Sequence, residues 1–192
     1  MSDLQYLLEP LDWTREFKRL LKCIEVQMHY LDEDKRRKLA SYHTSIALGG
    51  YLAIHSKQLL SITWQDILNK RESDAYWNRN AAEHKVNFHA ELLELVRRNY
   101  EICRPFASHY LVVSNPLKHQ KPLIDRTYNN TLAQIMLKCG FDIGKEGSHI
   151  LRKTGALRIY NEKGADPSAL KYVSELLKHK SIGMTRTYLC LT

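Results

Sequence analysis

His149 and Arg152 stand three positions apart in "GSHILRKTGALRIYNEKGAD", and His179 precedes Tyr188 by nine positions in "SELLKHKSIGMTRTYLC". On a helix, residues three apart share a face, so His149 and Arg152 point the same way. Arginine carries a planar, permanently charged fork that grips phosphate through two bonds. Histidine moves protons near neutral pH. A tyrosine hydroxyl is a nucleophile when such groups surround it, and otherwise an aromatic anchor. An HxxR pair alone is common in solvated basic turns. The order His149, Arg152, His179, Tyr188 is what sets this pair apart from such turns.

Composition narrows the setting. The chain has 192 residues with 44% hydrophobic and 26% charged content, which fits one globular domain with a real core. Its formal net charge of +8 suits a partner that is a polyanion. No apolar run reaches the roughly eighteen residues of a membrane span, and "MSDLQYLLEP" lacks the basic start and apolar middle of a signal peptide. A cytoplasmic protein is therefore expected. Cys23, Cys103, Cys139 and Cys190 form no CxxC pair, so neither a zinc site nor a redox motif is indicated. The remaining histidines show no ligand spacing.

Most of the elements that must position these residues read as helices. Trp13, Phe17, Leu20, Leu21, Ile24 and Met28 recur at three- and four-residue steps, predicting a helix over about 13–30. A second follows the acidic Asp32–Asp34, with Gly49-Gly50 as an expected break or kink. "SKQLLSITWQDI" reads as a helix entering an extended turn. Residues 76–88 hold the best strand and hairpin candidates, and "AELLELVRRNYEIC" is an amphipathic helix. "HYLVVS" suggests a short buried strand, and "PLKHQKPLIDRT" a loop. "YNNTLAQIMLKCG" predicts a helix capped by Asn129 or Asn130 and stopped by Gly140. Two last helices are expected at about 149–163 and 167–178. The class is mainly α with a small antiparallel β-sheet (α+β).

These motifs together resemble the C-terminal catalytic domain of the tyrosine recombinases, the phage-integrase family. That family carries an HxLR-like motif, a helix, a Leu-Leu-Gly-His-like motif and, nine residues later, a nucleophilic tyrosine. Here Leu176-Leu177-Lys178-His179 has Lys178 where a glycine is usual. Upstream, "GGYLAIHSKQLLSITWQDI" resembles the segment bearing the family's first arginine, a position that falls at His55. "HAELLELVRR" resembles the helix after the family's hairpin, and places the hairpin lysine near Arg79, with Lys85 as a nearby substitute. The resemblance spans about residues 31–190. Residues 1–30 then read as a helix or linker remnant and 31–192 as the catalytic-type domain, with the usual N-terminal core-binding domain expected to be absent.

The resemblance implies site-specific recombination, integration or excision of a mobile element, through a 3′-phosphotyrosine. Tyr188 would attack the scissile phosphate, Arg152 clamp it, His149 assist proton transfer from Tyr188, and His179 hydrogen-bond a phosphate oxygen. The lysine position would protonate the leaving 5′ oxygen. The candidates for that position are Arg79, a poor proton donor because it holds its proton tightly, and Lys85, which is therefore the one to test. Double-stranded DNA is the implied partner, with self-association on DNA. No metal, cofactor or small-molecule ligand is implied. His55 offers one donor where arginine offers a fork. Losing an oxyanion-type donor costs about 3–4 kcal/mol. A catalytically impaired, recombinase-like DNA-binding protein is therefore the alternative reading, and a basic helical interaction domain a third.

Overall fold

The computed structural model describes residues 9–72, 74–77, 85–113, 121–144 and 147–191. A π-helical turn, Trp13–Phe17, is opened by Asp12, whose carboxylate accepts the Arg15 N–H at 2.6 Å. It runs into α1 (Lys18–Met28), which buries Leu20, Leu21, Ile24 and Met28 at the spacing seen in the sequence. Helix α2 (Glu33–Leu52) starts at Asp32, whose side chain accepts the Lys35 N–H, and ends at Ala53 in the left-handed region, φ 51°. From Leu39 to Leu52 every residue of α2 is buried. It is the axis of the fold, with α1, α5 (Ala90–Cys103) and α7 (His149–Glu162) packed around it.

That central position explains the glycine pair. Gly49 and Gly50 do not break α2, which continues to Leu52. They let neighbours approach. A β-carbon on Gly50 would collide with the Phe17 ring, and one on Gly155 of α7 would collide with the Gly50 carbonyl oxygen. The opposing group at Gly155 is backbone and cannot rotate away. Gly155→Ala is therefore expected to lower stability by about 1–3 kcal/mol, read as a shift in urea midpoint at unchanged slope. Gly183→Ala, whose β-carbon meets only Ser181 Oγ at 3.8 Å, should stay within about 0.5 kcal/mol of the parent or gain slightly.

Two short helices, α3 (Ser56–Leu59) and α4 (Trp64–Leu68), follow α2. The hairpin is β1 (Ala75–Trp77) against β2 (Lys85–Asn87), antiparallel, with Tyr76 opposite Val86. The described residues of "HYLVVS" do not make a strand. Leu111, Val112 and Val113 are buried as their composition suggests, but they form only isolated bridges, Thr63 with Tyr110 and Val113 with Pro122. Thr63 turns at once into α4, and Pro122 has no N–H to give to a ladder.

Helix α6 (Asp125–Lys138) begins inside the segment read as loop. Its N-cap residue is Ile124, so Asn129 and Asn130 lie within the helix and do not cap it. Asp125 in the first turn complements the helix dipole instead. Asn129 makes a longer-range contact. Its Oδ1 accepts the Ser148 N–H at 2.8 Å, tying α6 to the entrance of α7. After α7 come α8 (Pro167–Leu177), capped by Asp166, and α9 (Ile182–Tyr188), capped by Ser181. Lys178 ends α8 at φ 59°. A left-handed residue there explains why glycine suits the position, since a side chain costs roughly 1–2 kcal/mol in that region. No helix among the described residues is long and apolar enough to cross a membrane.

Candidate active site

Helix α7 brings the HxxR pair forward. His149 is its exposed first residue, and Arg152 lies one turn on, half-buried. Two backbone carbonyls hold the Arg152 guanidinium. Nε donates to Ala53 O at 3.3 Å, and Nη2 donates to Leu177 O at 3.2 Å. Those carbonyls belong to the ends of α2 and α8, so Arg152 sits where three helices meet. Burial lowers its proton affinity and the nearby Tyr188 raises it. An arginine stays charged under such pressure, leaving a part-desolvated cation suited to an anion.

The turn after α8 and the short α9 supply the other side. His179 Nδ1 shares a 3.0 Å hydrogen bond with Oγ1 of the fully buried Thr185, which fixes the imidazole. Its ring meets that of Tyr188 edge-on, centroids 5.0 Å apart at 77°. Burial and then Arg152 hold the His179 pKa below the usual histidine value. The left-handed Lys178 and the Ser181 cap turn the chain so that Tyr188, the last residue of α9, comes back over His179.

His55 lies at the start of α3, where its Nδ1 accepts the Lys57 N–H at 3.2 Å. A neutral ring in that bond carries its proton on Nε2, which leaves a single N–H to offer. The ring stands edge-on to His149, centroids 5.6 Å apart at 89°. Burial lowers the His55 pKa first, and Arg152, His149 and Lys57 lower it further, against a smaller pull upward from Asp125. His55, His149, Arg152, His179 and Tyr188 are thus linked by ring contacts and mutual fields. Arg79 lies outside the described residues. Lys85 is in β2 with its backbone opposite Trp77.

Sequence reasoning passes over two further groups. Lys153 is fully buried, and its Nζ lies 5.5 Å from the centre of the Tyr188 ring. The available signal is a lysine three residues after Ile150, on a helix face otherwise apolar. Asp125 influences His55 and accepts a 3.3 Å bond from Asn129 Nδ2, which its place at a helix start does not suggest. No cluster of three or more His, Cys, Asp or Glu among the described residues could hold a metal. A cavity of about 670 Å³, lined by Glu72, His89, Arg158, Glu162 and Tyr172 among others, includes none of the five residues.

The sequence matches the Phage integrase family over residues 19–192. No curated protein matches it significantly. Among solved structures, the XerH site-specific recombinase bound to difH substrate in a pre-cleavage complex is similar at 21% identity and TM-score 0.67, over 97% of this chain and 52% of that one. XerH on a palindromic difH substrate, post-cleavage, gives 20% and 0.67 over 95% and 50%. XerA recombinase gives 17% and 0.67 over 98% and 61%. The chain thus spans about half to three-fifths of the length of these recombinases, and shares their mainly helical fold. With the family matched over nearly its whole length, the chain belongs to the phage integrases, the tyrosine recombinase family.

Proposed function

We propose that this chain breaks and rejoins DNA at specific sites, in the integration or excision of a mobile element. The observation that carries the reading is the setting of Tyr188: its ring lies against His179 and its phenol within the field of Arg152. In the proposed step Tyr188 Oη loses its proton, with assistance from His149, and attacks the scissile phosphorus. The new O–P bond forms as the bond to the 5′ oxygen breaks. Arg152 and His179 hold the non-bridging oxygens, where negative charge accumulates. The 5′ oxygen takes a proton from the hairpin, for which Lys85 is the better suited of the two candidates and Arg79 the poorer. The 3′-phosphotyrosine stores the phosphodiester energy, so a second 5′ hydroxyl can reverse the step without ATP.

A net charge of +8 supports a polyanionic substrate, and the similar XerH was captured on DNA before and after cleavage. Each chain offers one Tyr188, while exchange between two duplexes needs four strand cuts. Self-association on DNA therefore belongs to the same reading, as does action in the cytoplasm. No metal or cofactor is needed, because positive side chains meet the developing charge.

The test uses nicked duplexes with randomised sequence around the nick, which lose the 5′ fragment after cleavage and trap the intermediate. The parent protein should yield denaturant-resistant protein–DNA adducts whose linked peptide contains Tyr188, and Tyr188→Phe should yield none. Retention of DNA without any adduct would support a binding-only protein in place of the recombinase.

A further inference from the structure

The geometry points to Lys153 as the residue that holds Tyr188 in place and supplies a fixed positive charge beside its phenol. This rests on the reading of Tyr188 as the nucleophile. Lysine is almost never fully buried, yet Lys153 is 0% exposed. It occupies α7 directly after Arg152, on the helix that Gly155 presses against the α2 backbone. Its neighbour Thr154 accepts the Leu11 N–H through Oγ1 at 3.0 Å, so the platform is tied on a second side. From there Lys153 Nζ reaches 5.5 Å from the Tyr188 ring centre.

Tyr188 packs partly against the core beside the buried Leu189. It ends a seven-residue helix of which only Thr185 is buried. His179 meets the ring edge, and a cation held within 6 Å of the ring centre adds an attraction that strengthens as water is excluded. The same charge favours the phenolate over the phenol, and it acts through a low-dielectric interior rather than through solvent. Arg152, from the same helix, also acts on the phenol, and His179, from the turn after α8, touches the ring. Lys153 does not take part in protonating the 5′ oxygen, because a fully buried ammonium does not reach an incoming DNA strand. It is a positioning residue, distinct from the hairpin lysine.

The experiment compares the parent chain with Lys153→Met and Lys153→Arg. Tyrosines are labelled with carbon-13 at Cζ, and the Tyr188 signal is assigned by its loss in Tyr188→Phe. In Lys153→Met the Tyr188 titration should move up by about one pH unit, and adduct formation near pH 7.5 should fall roughly tenfold. Its pH–rate profile should move to higher pH by the same amount. Lys153→Arg keeps the charge and should keep both properties. An unmoved titration in Lys153→Met, or an arginine variant that loses as much as the methionine one, overturns the proposal. If circular dichroism shows Lys153→Met unfolded, Lys153→Gln takes its place with the same two outcomes. Should the parent form no adduct, the nucleophile reading falls, while the titration still decides whether Lys153 governs the Tyr188 phenol.

Discussion

Arg152→Ala is expected to slow adduct formation on a nicked duplex by about 10²–10³-fold while changing DNA affinity far less. A guanidinium has five N–H donors. Two of those on Arg152 go to the Ala53 and Leu177 carbonyls, so the group is aimed before substrate arrives. The others remain for phosphate oxygens. A donor pre-aimed at developing charge in a part-desolvated site contributes about 2.7–4 kcal/mol to the transition state, which is the stated loss in rate. Binding changes less because a chain with net charge +8 draws on many phosphate contacts. Arg152→Lys should recover little. A point charge cannot hold two backbone carbonyls and still fork onto phosphate. Single-turnover rates beside filter-binding affinities make the measurement. A rate within about threefold of the parent for Arg152→Ala would remove Arg152 from the reaction.

The grouping of the candidate site residues is partly legible in the sequence because it rests on spacing within single elements. His149 and Arg152 share a face wherever a helix forms, and the nine positions from His179 to Tyr188 are enough for a turn and one short helix. What brings these pieces together is less visible. The turn of α9 depends on a left-handed Lys178 and a Ser181 cap, and the chain announces neither with a glycine or a proline. The seating of α7 depends on Gly155 against Gly50, where glycine means close approach; in sequence the same residue type in α2 reads as a break. Composition marks Leu111, Val112 and Val113 as buried, correctly, but burial does not supply a pairing partner. Asn129 reads as a cap because asparagine often is one. Its partner is Ser148, nineteen residues away across the fold, a contact no local pattern encodes. Lys153 is hidden for a related reason: a lysine in sequence reads as solvated, and only the packing shows it enclosed.

A gain, rather than a loss, is expected at residue 55. His55 faces the site with one N–H, and burial, Arg152 and His149 all press its pKa down, so the ring is neutral in neutral solution. A bound phosphate pulls the other way, toward the charged form. Lowering the pH from about 8 toward about 6 should therefore raise the fraction of charged His55 and, with it, the adduct rate of the parent protein. His55→Arg makes that charge permanent and adds a second donor. Near pH 7.5 it should increase single-turnover adduct formation by about a hundredfold, and the part of the pH dependence that rises toward acid should flatten. A cost comes with it. His55 Nδ1 accepts the Lys57 N–H at the start of α3, and arginine has no acceptor to replace it. Loss of such a cap destabilises by about 1 kcal/mol, too little to unfold a domain of ordinary stability, so the rate effect should dominate. Adding Tyr188→Phe must abolish the adduct in both backgrounds. An unchanged rate in His55→Arg would mean that another cation already serves the phosphate, and Lys57, two residues on and already felt by His55, would be the first to replace.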